Sequence, residues 1–334
     1  MNINFFITTL ILNIVLILNF NQISKRYKLF DYPDNSRKIH KDKVSLLGGF
    51  LFFLCYTIYF LFFIFDSIEI FFTNREFISL YLISSIFFFI GLYDDKFNLK
   101  PDTKLYLMLF LSVCLVLFNN DFVIRELNFS FYHKKILLGN FSVLFTVICF
   151  LCFVNACNMF DGIDLQFGFY LILLSIIFLS KGIMSDFYYG YIICGICFLF
   201  YNFKKKIFIG NSGTLFLGSL FSFLFIGSYT KLNLFSADEI FLIMAIPGFD
   251  MIRVSIVRLT QGKHMFHPDN LHIHHLLIKK LSLFKTNILV QLSIIVPILI
   301  FYFNKNFFLS LIISFSSYLI LFIYAKKFIK QKVK

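Results

Sequence analysis

The chain reads as long apolar runs separated by short polar stretches. Eleven such runs, at 4–20, 47–65, 77–93, 104–118, 136–153, 165–180, 187–201, 214–229, 240–256, 287–303 and 307–324, each predict a helix. Most match the length of roughly 17–20 residues that crosses a hydrocarbon core of about 30 Å. The pattern predicts an all-α fold, a polytopic transmembrane helix bundle of eleven spans, or ten if the short sixth run does not cross. No internal repeat, low-complexity tract or separate soluble domain interrupts it, so residues 1–334 read as one integral membrane domain.

Composition agrees with this reading. Of 334 residues, 59% are hydrophobic and only 15% charged, where soluble chains average about a quarter charged. Mean hydropathy is +0.82, with 52 Phe and no Trp. A soluble enzyme and a disordered chain are both excluded.

The net charge of +13 then fixes an expected orientation. No basic region precedes the first run, so that run reads as a span and not as a cleaved secretory leader. Lys25, Arg26, Lys28, Arg37, Lys38, Lys41 and Lys43 follow it. The positive-inside rule places that loop in the cytoplasm and the N-terminus in the periplasm. Parity then puts 94–103, 155–164, 202–213, 258–286 and the C-terminal 325–334 on the cytoplasmic side. Only Arg75, Arg125, Lys134, Lys135, Lys181, Lys231 and Lys305 fall on the other. The positive charge is therefore one face of a membrane protein and not a nucleic-acid surface. Of the seven Cys, Cys194 and Cys197 form a C-x-x-C inside an apolar run with no second pair, which reads as packing rather than a metal or redox site.

Ionisable residues at or inside spans are costly and mark function by default. Here they gather on the expected cytoplasmic side. Asp94-Asp95 ends the third run, where two adjacent carboxylates at lowered dielectric call for a cation, a shared proton or a lysine partner such as Lys96 or Lys100. Asn155, Asn158, Asp161 and Asp164 recur every three residues, a polar ridge that turns into a loop near Gly162. Gly210-Asn211-Ser212-Gly213-Thr214 precedes a span, and its backbone N–H groups could cradle a phosphate or simply begin a helix. Asp250 and Arg253 lie in the inner half of the ninth span. Five His fall between 264 and 275 without the spacing of a structural zinc site. Carboxylates and amides for a hard cation, bases for phosphates, and a bilayer together suggest phosphoryl transfer to or from a lipid. A transporter would instead want charged or broken helices near mid-membrane, and these polar residues stop at one boundary.

Five blocks in order resemble the polyprenyl-phosphate N-acetylhexosamine-1-phosphate transferases, glycosyltransferase family 4, most closely their undecaprenyl-phosphate GlcNAc-1-phosphate branch. The blocks are Asp31-Tyr32-Pro33 with Arg37-Lys38-Ile39-His40 and Gly48-Gly49; Gly91-Leu92-Tyr93-Asp94-Asp95 with Lys104; Asn155 through Asp164; Gly210 through Thr214; and Pro268-Asp269-Asn270-Leu271-His272-Ile273-His274-His275. The resemblance implies a multi-pass enzyme of the bacterial cytoplasmic (inner) membrane that initiates a lipid-linked cell-envelope glycan, in cell wall or lipopolysaccharide O-antigen biosynthesis. It would transfer N-acetylhexosamine-1-phosphate from a UDP-sugar to undecaprenyl phosphate, releasing UMP, with Mg²⁺, or Mn²⁺ in its place. It implies Asp94, Asp95, Asp161 and Asp164 as catalytic; Lys38, His40, Lys104, Asn155, His272, His274 and His275 as substrate-binding; and Asn158 and Asn211 at the metal. Related transferases can pair, which leaves a homodimer open.

The chain departs from the family pattern in three places. Asn211 stands where the family usually has a metal-binding Asp. Leu165-Gln166 follows Asp164 where Gly is usual, and Lys43 and Ser45 replace prolines before the Gly pair. Asn211 supports an alternative reading, a catalytically impaired homologue that binds a lipid phosphate or a partner.

Overall fold

The computed structural model describes residues 2–33, 42–66, 72–267 and 269–327. It is almost wholly helical. In chain order the elements are α1 (Ile3–Leu18), α2 (Phe20–Tyr27), β1 (Phe30–Asp31), β2 (Val44–Ser45), α3 (Gly48–Asp66), α4 (Asn74–Phe97), α5 (Pro101–Phe118), β3 (Glu126–Phe129), β4 (Tyr132–Leu137), α6 (Ser142–Phe160), α7 (Gln166–Ser180), α8 (Ser185–Phe203), α9 (Gly210–Thr230), α10 (Ala237–Thr260), α11 (Ile273–Ile278), α12 (Leu283–Asn304) and α13 (Phe307–Lys327). The all-α membrane bundle read from the sequence is what the structure shows.

Each of the eleven apolar runs falls wholly or mostly in helix. Among the described residues, eight helices are long and apolar enough to cross a membrane, and nine if α1 and α2, bent by 65° at their junction, form one broken span. The two runs beyond that count are α7, which has only 15 residues, and α8. The fifth run begins later than its apolarity predicts. Residues 136 and 137 end β4, which pairs antiparallel with β3, and helix begins only at Ser142. The hairpin's turn is tied down by Asp238, which accepts from the Ser130 N–H at 2.9 Å and from its hydroxyl.

Helix starts follow local chemistry. Thr73 and Glu76 form a capping box on α4, and Ser236 and Glu239 form one on α10, satisfying N–H groups that have no partner within the helix. Many large apolar side chains, among them Phe110, Leu117, Phe303 and Ile320, stay exposed, as a lipid-facing surface requires. Burial is graded: 94% of the apolar stretch of α9 is enclosed but only 17% of that of α13, so α9 is core and α13 is peripheral.

The residues gather into two compact units, each discontinuous in sequence: Met1–Leu111 with Asp164–Leu220, and Ser112–Ile163 with Phe221–Lys334. In the first, α7 and α8 form an antiparallel hairpin, and α1 packs on α3 and α8. Its centre is aromatic, with Tyr56, Tyr59, Tyr188 and Tyr191 fully buried and Phe53 stacked on Phe88 at 4.0 Å. In the second, α10 packs against α6, α12 and α13. All seven cysteines are free. Cys194 is buried and accepts from the Asn13 amide, the packing role expected of it.

Candidate active site

In the first unit the carboxylate pair at the end of α4 is neutralised by two different devices. Asp94 Oδ2 pairs with Lys104 Nζ at 2.9 Å, and Asp94 Oδ1 accepts from the Leu99 N–H at 2.8 Å. Among the described residues Asp95 pairs with no lysine. Its oxygens accept the backbone N–H groups of Asn211 at 2.7 Å and Ser212 at 2.9 Å. These are orphan donors at the start of α9, where the helix dipole favours negative charge. Two of the N–H groups that could have cradled a phosphate thus cap onto Asp95. The lysine that relieves the carboxylate repulsion is Lys104, on the next helix, and not Lys96 or Lys100.

Lys104 also donates to Asn211 Oδ1 at 3.2 Å. Two oxygens, from Asp94 and Asn211, therefore converge on one cation position, which the ammonium fills. A close backbone approach makes this possible. A Cβ on Gly91 would lie 2.3 Å from the carbonyl oxygen of Asn211, so only glycine lets α4 meet the start of α9 here.

Further along this unit, Leu165 sits at φ +72°, a left-handed conformation that costs a non-glycine residue about 1–2 kcal/mol. The motif resemblance implies Gly at this position. Its N–H donates to Asn202 Oδ1 at 2.6 Å, and Asn202 Nδ2 donates to the Ile207 carbonyl at 2.9 Å. Asn202 thus ties the entry of α7 to the exit of α8, and nothing in the sequence marked it. Asp164, one residue before the strained turn, is half-buried.

In the second unit, Asn155 and Asn158 lie on the last two turns of α6, and Asp161 is its C-cap, the ridge-to-loop change that the three-residue spacing predicts. Asn155 is buried and its amide donates back to Leu151 O; Asn158 and Asp161 are half-buried. Gly162 follows. A Cβ there would sit 1.8 Å from His274 Nε2, so the imidazole rests directly on the glycine.

His272 caps α11, and His274 and His275 occupy its first turn. His272 and His274 stack nearly parallel with centroids 5.4 Å apart. Burial first, and then the neighbouring imidazoles, hold His274 well below the ordinary histidine value. The same two causes bring His275 down to about 4. Both are neutral near pH 7, so they can offer a hydrogen bond to a phosphate or uracil but no charge until a ligand supplies one.

Around His272 lies a polar network the motif reading did not assemble. Asp250 Oδ2 pairs with His272 Nδ1 at 2.7 Å, and Asp250 Oδ1 accepts from Arg253 at 2.6 Å and Tyr318 at 3.0 Å. Arg258 holds Asp269 through Nε at 2.8 Å and Nη2 at 3.0 Å. That pairing, acting with the Leu271 N–H against burial, keeps the Asp269 carboxyl below its ordinary value. Lys38, His40 and Pro268 lie outside the described residues. Among the described residues, no three His, Cys, Asp or Glu side chains gather as a metal cage.

Comparison with known proteins agrees with the motif blocks. A family model described as glycosyl transferase family 4 matches residues 77–229. The chain is 28% identical over 278 residues to the probable undecaprenyl-phosphate N-acetylglucosaminyl 1-phosphate transferase of Bacillus subtilis strain 168, covering 81% of this chain and 75% of that protein. It is 26% identical over 273 residues to the undecaprenyl-phosphate alpha-N-acetylglucosaminyl 1-phosphate transferase of Escherichia coli strain K12, covering 77% and 71%. The Yersinia pestis protein of that name is also 26% identical, over 280 residues. The resemblance read from the five blocks is thus shown: the chain is similar to these transferases over most of its length.

Proposed function

We propose that this protein is a polyprenyl-phosphate N-acetylhexosamine-1-phosphate transferase, with undecaprenyl phosphate as acceptor and a UDP-N-acetylhexosamine as donor. The observation that carries the reading is the Asp94–Lys104–Asn211 cluster. It sets an ammonium and two cation-facing oxygens at a helix end in a chain similar to enzymes of that name.

In the reaction, an oxygen of the lipid phosphate attacks the β-phosphorus of the UDP-sugar. One P–O bond forms to the lipid phosphate, the bond from the β-phosphorus to the bridging oxygen breaks, and UMP leaves with that oxygen. No charge is lost, so positioning and charge neutralisation supply most of the rate. Lys104 has the charge and reach to hold the acceptor phosphate, and Asp94 Oδ2, paired with that ammonium at 2.9 Å, would take the proton of the lipid phosphate as its oxygen attacks. Asp95, with oxygens committed to two backbone N–H groups, is a positioning residue that fixes Asn211. His274 and His275 hold the donor as neutral hydrogen-bonding groups, with Asn155, Asn158 and Asp161 of the same unit supplying further polar contacts.

The residues fit Mg²⁺. That ion takes one or two carboxylates and keeps water and substrate phosphate for its other positions, so it needs no dedicated protein cage. Asp94 and Asn211 already direct oxygens at one cation position. Bound there, Mg²⁺ would neutralise phosphate charge in the transition state. Asn211 keeps a carbonyl oxygen facing a cation, which favours a weaker but working metal site over an impaired homologue.

The test is UMP release by membranes containing the protein, given undecaprenyl phosphate and a panel of UDP-N-acetylhexosamines, with and without Mg²⁺. Release that depends on Mg²⁺ and one sugar, and that Asp94→Asn abolishes, is expected. No release from folded protein with any donor would overturn the reading.

A further inference from the structure

Of the side chains in the Asp250 network, only His272 and Asp269 belong to a motif block. We propose that Asp250 is a positioning residue whose carboxylate, relayed through His272, holds Arg258 and with it Met265, Asp269 and Leu271 and the start of α11. His272 itself is a strut and does not touch substrate. The proposal rests on the transferase reading only for what α11 presents to a donor.

The hydrogen bonds fix the argument. Asp250 is buried at 2% exposure on α10. It accepts from His272 Nδ1, Arg253 Nη2 and Tyr318 OH, and from the Ile273 N–H at 3.1 and 3.3 Å. The other nitrogen of His272, Nε2, lies 3.3 Å from Arg258 Nη2. A guanidinium has no lone pair to offer and can only donate. Nε2 is therefore the acceptor, and Nδ1 carries the proton it gives to Asp250. Both ring nitrogens are used within the protein, so none remains for a phosphate or a uracil. This separates His272 from His274 and His275 and departs from the substrate-binding role implied for it.

Arg258 is equally committed. Besides His272 it donates through Nη1 to Met265 O at 2.6 Å and through Nε and Nη2 to Asp269. Asp269 Oδ1 in turn accepts the Leu271 N–H at 3.0 Å. Arg253 adds a bond to Leu271 O at 2.8 Å. The loop is thus bonded to α10 at Asp250, Arg253 and Arg258. Because Asp250 also takes the Ile273 N–H, it sets where α11 begins and hence where His274 and His275 lie. An amide at 250 cannot accept from all of these donors. It would also favour the Nε2–H tautomer of His272, which faces Arg258 donor to donor.

The test uses the full chain in membranes and two readouts, with Asp250→Asn, Arg258→Lys and the double variant. The first is trypsin cleavage after the exposed Lys263, which needs no substrate. The second is KM and kcat for the donor in the UMP assay. Each single variant should speed cleavage and raise KM about tenfold, the size expected of one hydrogen bond to a charged group, while kcat changes much less. The double variant should be no worse than the worse single, because both break one relay. Effects that multiply in the double variant, or unchanged cleavage in Asp250→Asn, would overturn the relay. A kcat collapse in Asp250→Asn at unchanged KM would return His272 to the chemistry. If wild type transfers no sugar, the transferase reading fails and cleavage still decides the relay. If Asp250→Asn does not fold, Tyr318→Phe, which removes one donor of several, should speed cleavage about threefold and no change would count against the proposal.

Discussion

Two acidic clusters, one in each unit, solve the same problem differently. At the end of α4, Asp94 is held by one flexible lysine and Asp95 by two backbone N–H groups. On α10, Asp250 is held by an arginine, a histidine, a tyrosine and a backbone N–H, and a second arginine extends the network. An ammonium is a compact point charge on a mobile stem, whereas a guanidinium is a fixed fork. The first arrangement can exchange its cation for a phosphate-bound one. The second cannot without dismantling a loop. On the proposed function, the difference separates a cluster that reacts from one that holds.

The comparison can be broken most severely at Lys104. Lys104→Met leaves Asp94 buried and unpaired, which should abolish UMP release and lower stability by about 3 kcal/mol in thermal melts. Full activity would show that the exchangeable cation is elsewhere. Within the pair, Asp95→Asn should cost about 2 kcal/mol of stability, because an amide cannot accept both N–H groups of α9. Asp94→Asn should cost activity with a smaller change in melting temperature. Equal effects on stability would erase the distinction between the two carboxylates.

Gly91→Ala drives a Cβ into the Asn211 carbonyl and should cost about 2 kcal/mol, read as a lowered melting temperature. Gly162→Ala would put a Cβ against the buried His274 ring, so it should displace that imidazole and raise donor KM as well as lower the melting temperature.

The imidazoles of α11 give a pH signature. Their folded values lie below the ordinary 6.5, so the unfolded chain binds protons more readily. Stability is full above about pH 6.5 and should fall as pH drops toward 4, where His275 itself titrates. Saturating donor should oppose this loss if its phosphates face these rings. The smallest effect is expected at Leu165→Gly. It relieves the left-handed strain of about 1–2 kcal/mol but gives up a buried leucine worth about 2 kcal/mol, so the melting temperature should scarcely move.

Much of this was legible in the sequence. Apolar runs marked each long helix, since lipid exposure forces near-continuous apolarity over a fixed length. Asp94, Asp95, Lys104 and Asn211 stood out as costly residues and motif members, and the structure joins them. The rest depended on contacts that cross many residues. Tyr318 looked like one more aromatic in the last run, yet its hydroxyl serves Asp250, 68 positions away. Asn202 and Arg258 looked like span-end polar residues, yet both are buried bridges. The hairpin at β3–β4 was hidden because Ile136 and Leu137 extend the apolar run that follows, and apolarity alone does not distinguish a strand end from a helix start.

The central claim is that the sugar travels with a phosphate. The most direct measurement is to supply the purified protein with undecaprenyl phosphate and a UDP-N-acetylhexosamine labelled in the β-phosphate, and to follow the label between the aqueous and the lipid-extracted phase. Sugar-1-phosphate transfer predicts label in the lipid and unlabelled UMP in water. Label that stays in water as UDP while sugar enters the lipid, or no transfer with any donor, would contradict the account.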